Sequence, residues 1–454
     1  MLALKKNEDL QIPLHDPGRI IKITGEESMH YRAAMLRVFN VVRIVTALLF
    51  MLGFILSDQA ARSPLHGIGL GGTSWFVLLV LIYITVLGVH WFVSLHDPVS
   101  DGLLLSNALF DLLLMAALAC LLLLAVLFSL SWGRYPVPPG GVWRSLVQGA
   151  VQLASDWHLP FAASLPPIQA DEVQANIVLN LRLPRILAAM LVGAALAASG
   201  TAYQGIFRNP LVSPDLLGVS SGACVGAALS ILLGWSIWGT QAAAFAGGLL
   251  AVVMTLALPR LIGRDSAVIL VLAGIVVSGF MSATLGLMKY LADPETELAE
   301  IVYWQMGSLA KSEYGNLVAL VPVMLLAAGV LVAMRWRINV LSLGDREARL
   351  VGAEIRCERT IMVVCATLLT ASAVCMSGTI GWLGLVVPHL ARLAAGDNNM
   401  RTLPLSILAG ALFLLCTDTL ARNLYEQEIP LGIITGFIGA PFFAWVLVRQ
   451  KVAD

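Results

Sequence analysis

Twelve stretches of this chain are long and apolar enough to cross a hydrocarbon layer as helices, and that leaves few folds open. They fall at about 40–57, 74–95, 103–131, 184–205, 216–235, 240–261, 267–291, 317–335, 360–378, 380–395, 403–421 and 431–448. A bilayer core takes roughly 20 helical residues to span. Inside it every backbone polar group must be satisfied within the segment, which selects helices. Composition agrees. Charged residues make up 12% of the chain and hydrophobic ones 58%, with a mean hydropathy of +0.85. Soluble domains carry about 25% charged residues. The expected fold class is an all-α polytopic membrane protein. The formal net charge is zero, so no bulk attraction to nucleic acid is implied. Six cysteines (Cys120, Cys224, Cys357, Cys365, Cys375, Cys416) are scattered without a C-x-x-C pair. They point to neither a disulfide framework nor a metal site.

The distribution of arginines orients the spans. Residues 1–38 are polar and mixed in charge, contain no short apolar region followed by a cleavage site, and are expected to be a cytoplasmic segment rather than a signal peptide. Residues 39–101 then form a two-span hairpin and 102–454 a ten-span core. The run 103–131 is long for one span and is expected to be tilted or partly interfacial. The polar interval 133–177, with its prolines, Trp143 and Trp157, reads as a loop on a membrane surface. Arg260 and Arg264, the cluster Arg335–Arg359, Arg392 and Arg401, and Arg449 with Lys451 all fall on the side of the N-terminus. The opposite loops hold Asp293, Glu295, Glu297, Glu300, Glu426 and Glu428. Both termini are therefore expected in the cytoplasm.

One block stands out within this pattern: LRLPRILAAMLVGAALAASGTAYQGIFRNPLVSPDLLGVSSGACVG, residues 181–226. Two arginines open a helix rich in small residues. The helix breaks at Asn209-Pro210 and Pro214-Asp215, and glycines recur at Gly218, Gly222 and Gly226. Small residues let membrane helices approach closely, and the break is expected to return the chain at the inner surface. Ser199-Gly200-Thr201 and Ser377-Gly378-Thr379 each read as the end of a small-residue helix that starts near an arginine. This faint likeness hints at inverted repeats of the kind that build alternating-access pathways.

Few polar residues are left to carry a mechanism. In the stretch Arg335–Arg359, residues Gly344–Gly352 read as a short helix with Asp345 as N-cap and Gly352 as C-terminal stop. Such a helix is a handle for a soluble partner, although composition alone favours a solvated connector with topology-setting charges. Arg182 and Arg422 lie near the ends of spans, where snorkelling is common; the alternative is a pair of docking cations for an acidic partner. Asp111, Asp418 and Lys289 read as snorkelling or interfacial groups, and His389, with no second titratable group at helical spacing, as a structural hydrogen-bonding residue. No P-loop G-x-x-x-x-G-K-[ST] occurs. No helix carries the ladder of charges that relays protons or coupling ions in many secondary transporters. Energy for pumping is expected to come from another polypeptide.

The 181–226 block, together with VLAGIVVSG, YWQMGSL, INVLSLGDREARLVG, SGTIGWLGLVVPHLARL and IPLGIITGFIGAPFFAWVL, closely resembles the permease family of ABC importers for iron-siderophores, haem and cobalamin. The segments fall in family order from about residue 112 to 450. The resemblance implies a ten-span subunit, dimeric as homodimer or heterodimer, with the path between subunits. It implies no cofactor on this chain, with ATP and magnesium held by cytoplasmic ATPase subunits, and a separate periplasmic or lipid-anchored substrate-binding protein. It implies residence in a bacterial inner membrane. The loop 336–359 takes the place of the ATPase-coupling segment, with Leu343, Gly344, Asp345, Arg346, Glu347, Ala348, Arg349 and Gly352 as its core. Arg182 and Arg422 match the arginines that meet the binding protein. Asp265, Ser266, Ala267 and Val268 align with a cytoplasmic gate, although small hydroxyl residues are usual where this chain has Ala267 and Val268.

The added hairpin departs from the family and is expected to be peripheral. Two other classes stay open on the residues: a proton-coupled secondary transporter with inverted repeats, and a membrane receptor or signalling anchor built on the hairpin.

Overall fold

The computed structural model describes residues 103–156, 158, 170–263 and 267–450 of the chain. The expected spans at 40–57 and 74–95 and the segment 1–38 lie outside the described residues. Every regular element among the described residues is helical. They are α1 (Leu103–Ser131), α2 (Pro139–Asp156), α3 (Glu172–Asn176), a π-helical turn (Ile177–Arg182), α4 (Leu183–Phe207), a 3-10 turn (Pro214–Leu217) and α5 (Val219–Leu232). Then come α6 (Ile237–Ile262), α7 (Ala267–Leu291), α8 (Glu297–Met306), α9 (Tyr314–Ala333), α10 (Arg335–Leu343) and α11 (Asp345–Leu350). The chain closes with α12 (Ile355–Ser377), α13 (Leu383–Ala395), α14 (Asn399–Asn423) and α15 (Leu431–Gln450). Among the described residues seven helices are long and apolar enough to span a membrane, and three shorter apolar ones, α5, α13 and α15, complete the ten expected of the core.

Helix α4 is the axis of the bundle. Its apolar window is 78% buried, against 17% for α1 and 28% for α9. It can be central because its small residues let neighbours touch backbone to backbone. A methyl group on Gly193 would overlap the carbonyl of Gly410 in α14, and one on Gly200 the carbonyl of Gly384 in α13. The glycine ladder of α5 works the same way: Gly222 sits on Gly247 O and Gly226 on Ala243 O, both in α6. In a membrane, where there is no hydrophobic drive between helices, such van der Waals contact carries association. Tyr203 of α4, fully buried, closes the contact with α12 by sharing a hydrogen bond with Thr367 Oγ1 (3.0 Å).

Four sequence expectations change. The interval 133–177 is not all loop: Pro139, well placed in a first helical turn, opens α2, whose Trp143 is exposed. Ser199-Gly200-Thr201 does not end a helix, since α4 runs on to Phe207, whereas Gly378 does terminate α12 with φ +68°. The two tripeptides are therefore not equivalent, and the hint of a repeat drawn from them falls. The Pro214-Asp215 break is not a simple surface return. The 3-10 turn folds back into the bundle, where Pro214 packs on Gly384 and Leu216 O on Gly274. Finally, α13 has only 13 residues because it begins inside the bundle, after Trp382 (φ +69°).

Candidate functional site

The two ends of α4 carry the chain's polar machinery. With 25 residues, the helix separates them by roughly 37 Å at 1.5 Å per residue.

At the first end the chain concentrates buried charge. Arg182 and Arg185, three apart, lie on one face where the π-turn runs into α4. Arg185 is a fork between two carboxylates. Its Nη2 donates to Asp418 Oδ1 at 2.8 Å and its Nη1 to Glu428 Oε1 at 2.8 Å. Asp418, on α14, has no exposed side-chain surface and lies 3.2 Å from Nε of Arg422, one helical turn on. Arg422 Nη2 donates to Ser129 Oγ (2.5 Å), and Thr419 Oγ1 donates to the same oxygen (2.9 Å). Arg182 donates to Leu130 O and Tyr135 O, both at 2.5 Å. Five elements are thus tied at one point: the end of α1 and the turn after it, the start of α4, the end of α14 and the turn that follows. Arg134, exposed, donates to Tyr425 O and Glu426 O on the rim. In a desolvated cluster only mutual pairing offsets the cost of burying charge. In the turn between α7 and α8, the amides of Glu295 and Thr296 donate to Asp293 and hold its carboxyl below the usual carboxylate range.

Asp418 is therefore no snorkelling group. Nor is Asp111, which pairs with Arg401 at 2.7 Å, or Lys289, whose Nζ donates to Gln305 Oε1 at 2.5 Å. Arg182 and Arg422 both lie at this end of the bundle, with their guanidinium groups pointing inward. His389 packs edge-on against Phe442 (ring centroids 6.3 Å apart). Arg185, Asp418, Glu428 and Arg134 were missed as a set. Arg185 and Asp418 are 233 residues apart, and only the coincidence of opposite charges at three span ends signalled them.

The opposite end is built differently. After α9, the short helices α10 and α11 cross the bundle's foot and are anchored by Ile338, Leu341 and Ala348, all essentially fully buried. Gly344, at φ +126°, turns the chain between them where a side chain would be strained. It occupies the N-cap position that sequence reasoning gave to Asp345. Asp345 instead binds Arg359 of α12 at 2.6 Å, and Arg337 reaches Glu358 at 3.5 Å. Gly352 (φ +78°) does stop the helix. Its N–H donates to Arg349 O and that of Ala353 to Ala348 O, a Schellman pair. What faces outward is Leu343 (60% exposed), Arg346, Glu347, Arg349, Leu350 (84%) and Val351 (62%). Ala348 lies inside this knob and contributes packing. Leu350 and Val351, absent from the expected set, are its apolar tip; the signal was an aliphatic pair closing an otherwise charged helix. Of the expected gate, Asp265 and Ser266 lie outside the described residues, Ala267 opens α7, and Val268 is 69% exposed.

Between the two ends, the in-folded 3-10 turn and the break after α12 meet around a polar chamber of about 240 Å³. Asp215, Ser220, Ser282, Gln305 and Thr379 line it. Irregular backbone at this depth is tolerated where it lines a cavity. Among the described residues no group of three or more His, Cys, Asp or Glu is placed to hold a metal ion.

This architecture has known counterparts. Residues 121–449 match the FecCD transport family. The molybdate import system permease of Haemophilus influenzae is 38% identical over 336 residues, 74% of this chain and 95% of that protein. The hemin transport system permease of Yersinia pestis is 37% identical over 288 residues, 62% of this chain and 86% of that protein. A solved structure of a metal-chelate type ABC transporter, in an inward-facing conformation, superposes with a TM-score of 0.64 at 37% identity, covering 74% of this chain and 98% of its own. The family match, the ten-helix core and the paired polar ends agree: this multi-pass membrane chain belongs to the FecCD transport family.

Proposed function

We propose that the chain is the membrane-spanning permease of an ATP-driven importer, moving an iron-siderophore or a related chelate such as haem or cobalamin across a bacterial inner membrane. The observation that carries this reading is the knob at α10–α11. It is a rigid, backbone-defined turn with an exposed aliphatic tip ringed by charge, and the chain has no nucleotide-binding motif of its own. An exposed apolar cluster with a polar rim is the form of a protein-docking site. In this reading Leu343, Gly344, Asp345, Arg346, Glu347, Arg349 and Gly352, with Leu350 and Val351, seat in a cytoplasmic ATPase subunit that holds ATP and magnesium. Asp345–Arg359 transmits its movement to α12, and α12 passes it to α4. Packed helices then tilt as units.

At the other end a separate binding protein delivers substrate to the rim shaped by Arg182 and Arg422. The inward donation of both arginines makes Arg134 the group on this rim that first meets an acidic partner. A second permease subunit completes the path, with the start of α7 near Val268 at its inner gate. Both termini face the cytoplasm, and residues 1–101 take no part in transport. A relative named for molybdate and another named for hemin share this fold, so the path is permissive and the binding protein selects the substrate.

Reconstitution tests this. The chain with its ATPase and binding protein should take up labelled haemin, ferric siderophore, cobalamin or molybdate only when ATP is present. Uptake by the chain alone, driven by a pH gradient, would replace this reading with a proton-coupled secondary transporter.

A further inference from the structure

A second cavity, of about 200 Å³, opens beside α11 between the end of α6, the start of α7 and the first turns of α12. Arg260, Arg349 and Arg359 line it, with Asp345 as the single carboxylate among the described residues. Asp345 is already committed to Arg359. Among the described residues neither Arg260 nor Arg349 has an ion-pair partner, and the Nε of Arg359 is buried without a hydrogen-bond acceptor. The cavity is thus a cationic chamber with a donor left unsatisfied. Its floor is aliphatic: Leu256, Leu270 and Val363. Just outside the mouth, Leu261 (82% exposed) and Ile262 (60%) continue the aliphatic surface along α6.

Cations at one end and a hydrocarbon surface at the other describe an anionic amphiphile. A soluble oxyanion would explain the arginines but not the aliphatic surface. A carboxylate from a docked protein would approach from the tip of α11 rather than from between α6 and α7. We propose that this chamber binds the phosphate group of an anionic phospholipid, with its acyl chains lying on α6. Arginines bind phosphate through charge-assisted, often bidentate hydrogen bonds, and basic pockets between membrane helices take acidic headgroups. The bound lipid bridges α6 to the Asp345–Arg359 contact. Its assignment to the cytoplasmic leaflet rests on the coupling reading above; its binding does not.

The test is native mass spectrometry of the full-length chain with its partners, released from nanodiscs of mixed phosphatidylglycerol and phosphatidylcholine, without ATP. Wild type should retain phosphatidylglycerol in preference to phosphatidylcholine. Arg260→Gln should lower that retention about fivefold, the weight of one arginine at an acidic lipid, while Arg260→Lys keeps most of it. Arg260 is exposed, and circular dichroism should match wild type for both variants. Equal retention by wild type and Arg260→Gln would overturn the proposal. So would loss of the lipid to millimolar inorganic phosphate, which would reassign the chamber to a free oxyanion. Because ATP is absent, failure here leaves the coupling reading standing, and failure of coupling leaves this result intact.

Discussion

The two ends of α4 hold charge in opposite ways. At one end Arg185, Asp418, Arg422 and Glu428 neutralise one another inside the protein, and Asp418 has no exposed surface. At the other, Arg346, Glu347 and Arg349 stand exposed around Leu350 and Val351, while the pairs Asp345–Arg359 and Arg337–Glu358 hold the base of the knob. The first arrangement fixes several helix ends to one another. The second leaves surface for something else to hold. A transporter that moves helices as units needs both a joint that keeps the ends in register and a handle by which force arrives.

The contrast predicts where damage falls. Asp418→Asn should be the most severe single change, because it leaves Arg185 and Arg422 buried without their shared counter-charge; breaking a buried pair costs about 3–5 kcal/mol. Thermal unfolding in detergent should show a large drop or loss of folded protein, and an unchanged transition would dissolve the idea of a joint. Glu428→Gln should cost less, on the order of 1 kcal/mol, since its side chain is 30% exposed and Arg185 keeps Asp418. A double-mutant cycle with Arg185 reads that difference, and equal effects of the Glu428 and Asp418 changes would show that burial does not grade the cluster. Arg346→Ala, at the exposed end, should stay within about 0.5 kcal/mol of wild type in stability. A larger shift would place its side chain in the fold rather than on the handle.

The apolar spans were legible because hydropathy over twenty residues is a strong signal, and ten of the twelve expected fall on described helices. The α10–α11 turn was legible as a polar interruption, but its cap was not. Gly344 carries the unusual backbone angle, and Asp345 is drawn to Arg359, fourteen positions on. The buried cluster was illegible because an arginine or aspartate at a span end looks the same whether it snorkels to water or meets a partner on another helix. Only the fold brings Arg185 to Asp418. Helix α2 is hidden in the sequence because the prolines around its start look like breakers, whereas Pro139 is a helix start. The in-folded 3-10 turn was misplaced for a similar reason: Asn-Pro and Pro-Asp mark a break in the helix but not its depth.

The central claim is that force enters at the exposed tip of α10–α11. The direct measurement is ATP-driven uptake by the reconstituted transporter carrying Leu350→Asp and Val351→Asp together, with thermal unfolding followed in parallel. Both side chains project from the fold, so the unfolding temperature should match wild type. A docking core that loses its apolar anchors forfeits at least about 2 kcal/mol of binding, so ATPase retention and uptake should fall at least tenfold. Wild-type uptake by this double variant would contradict the account.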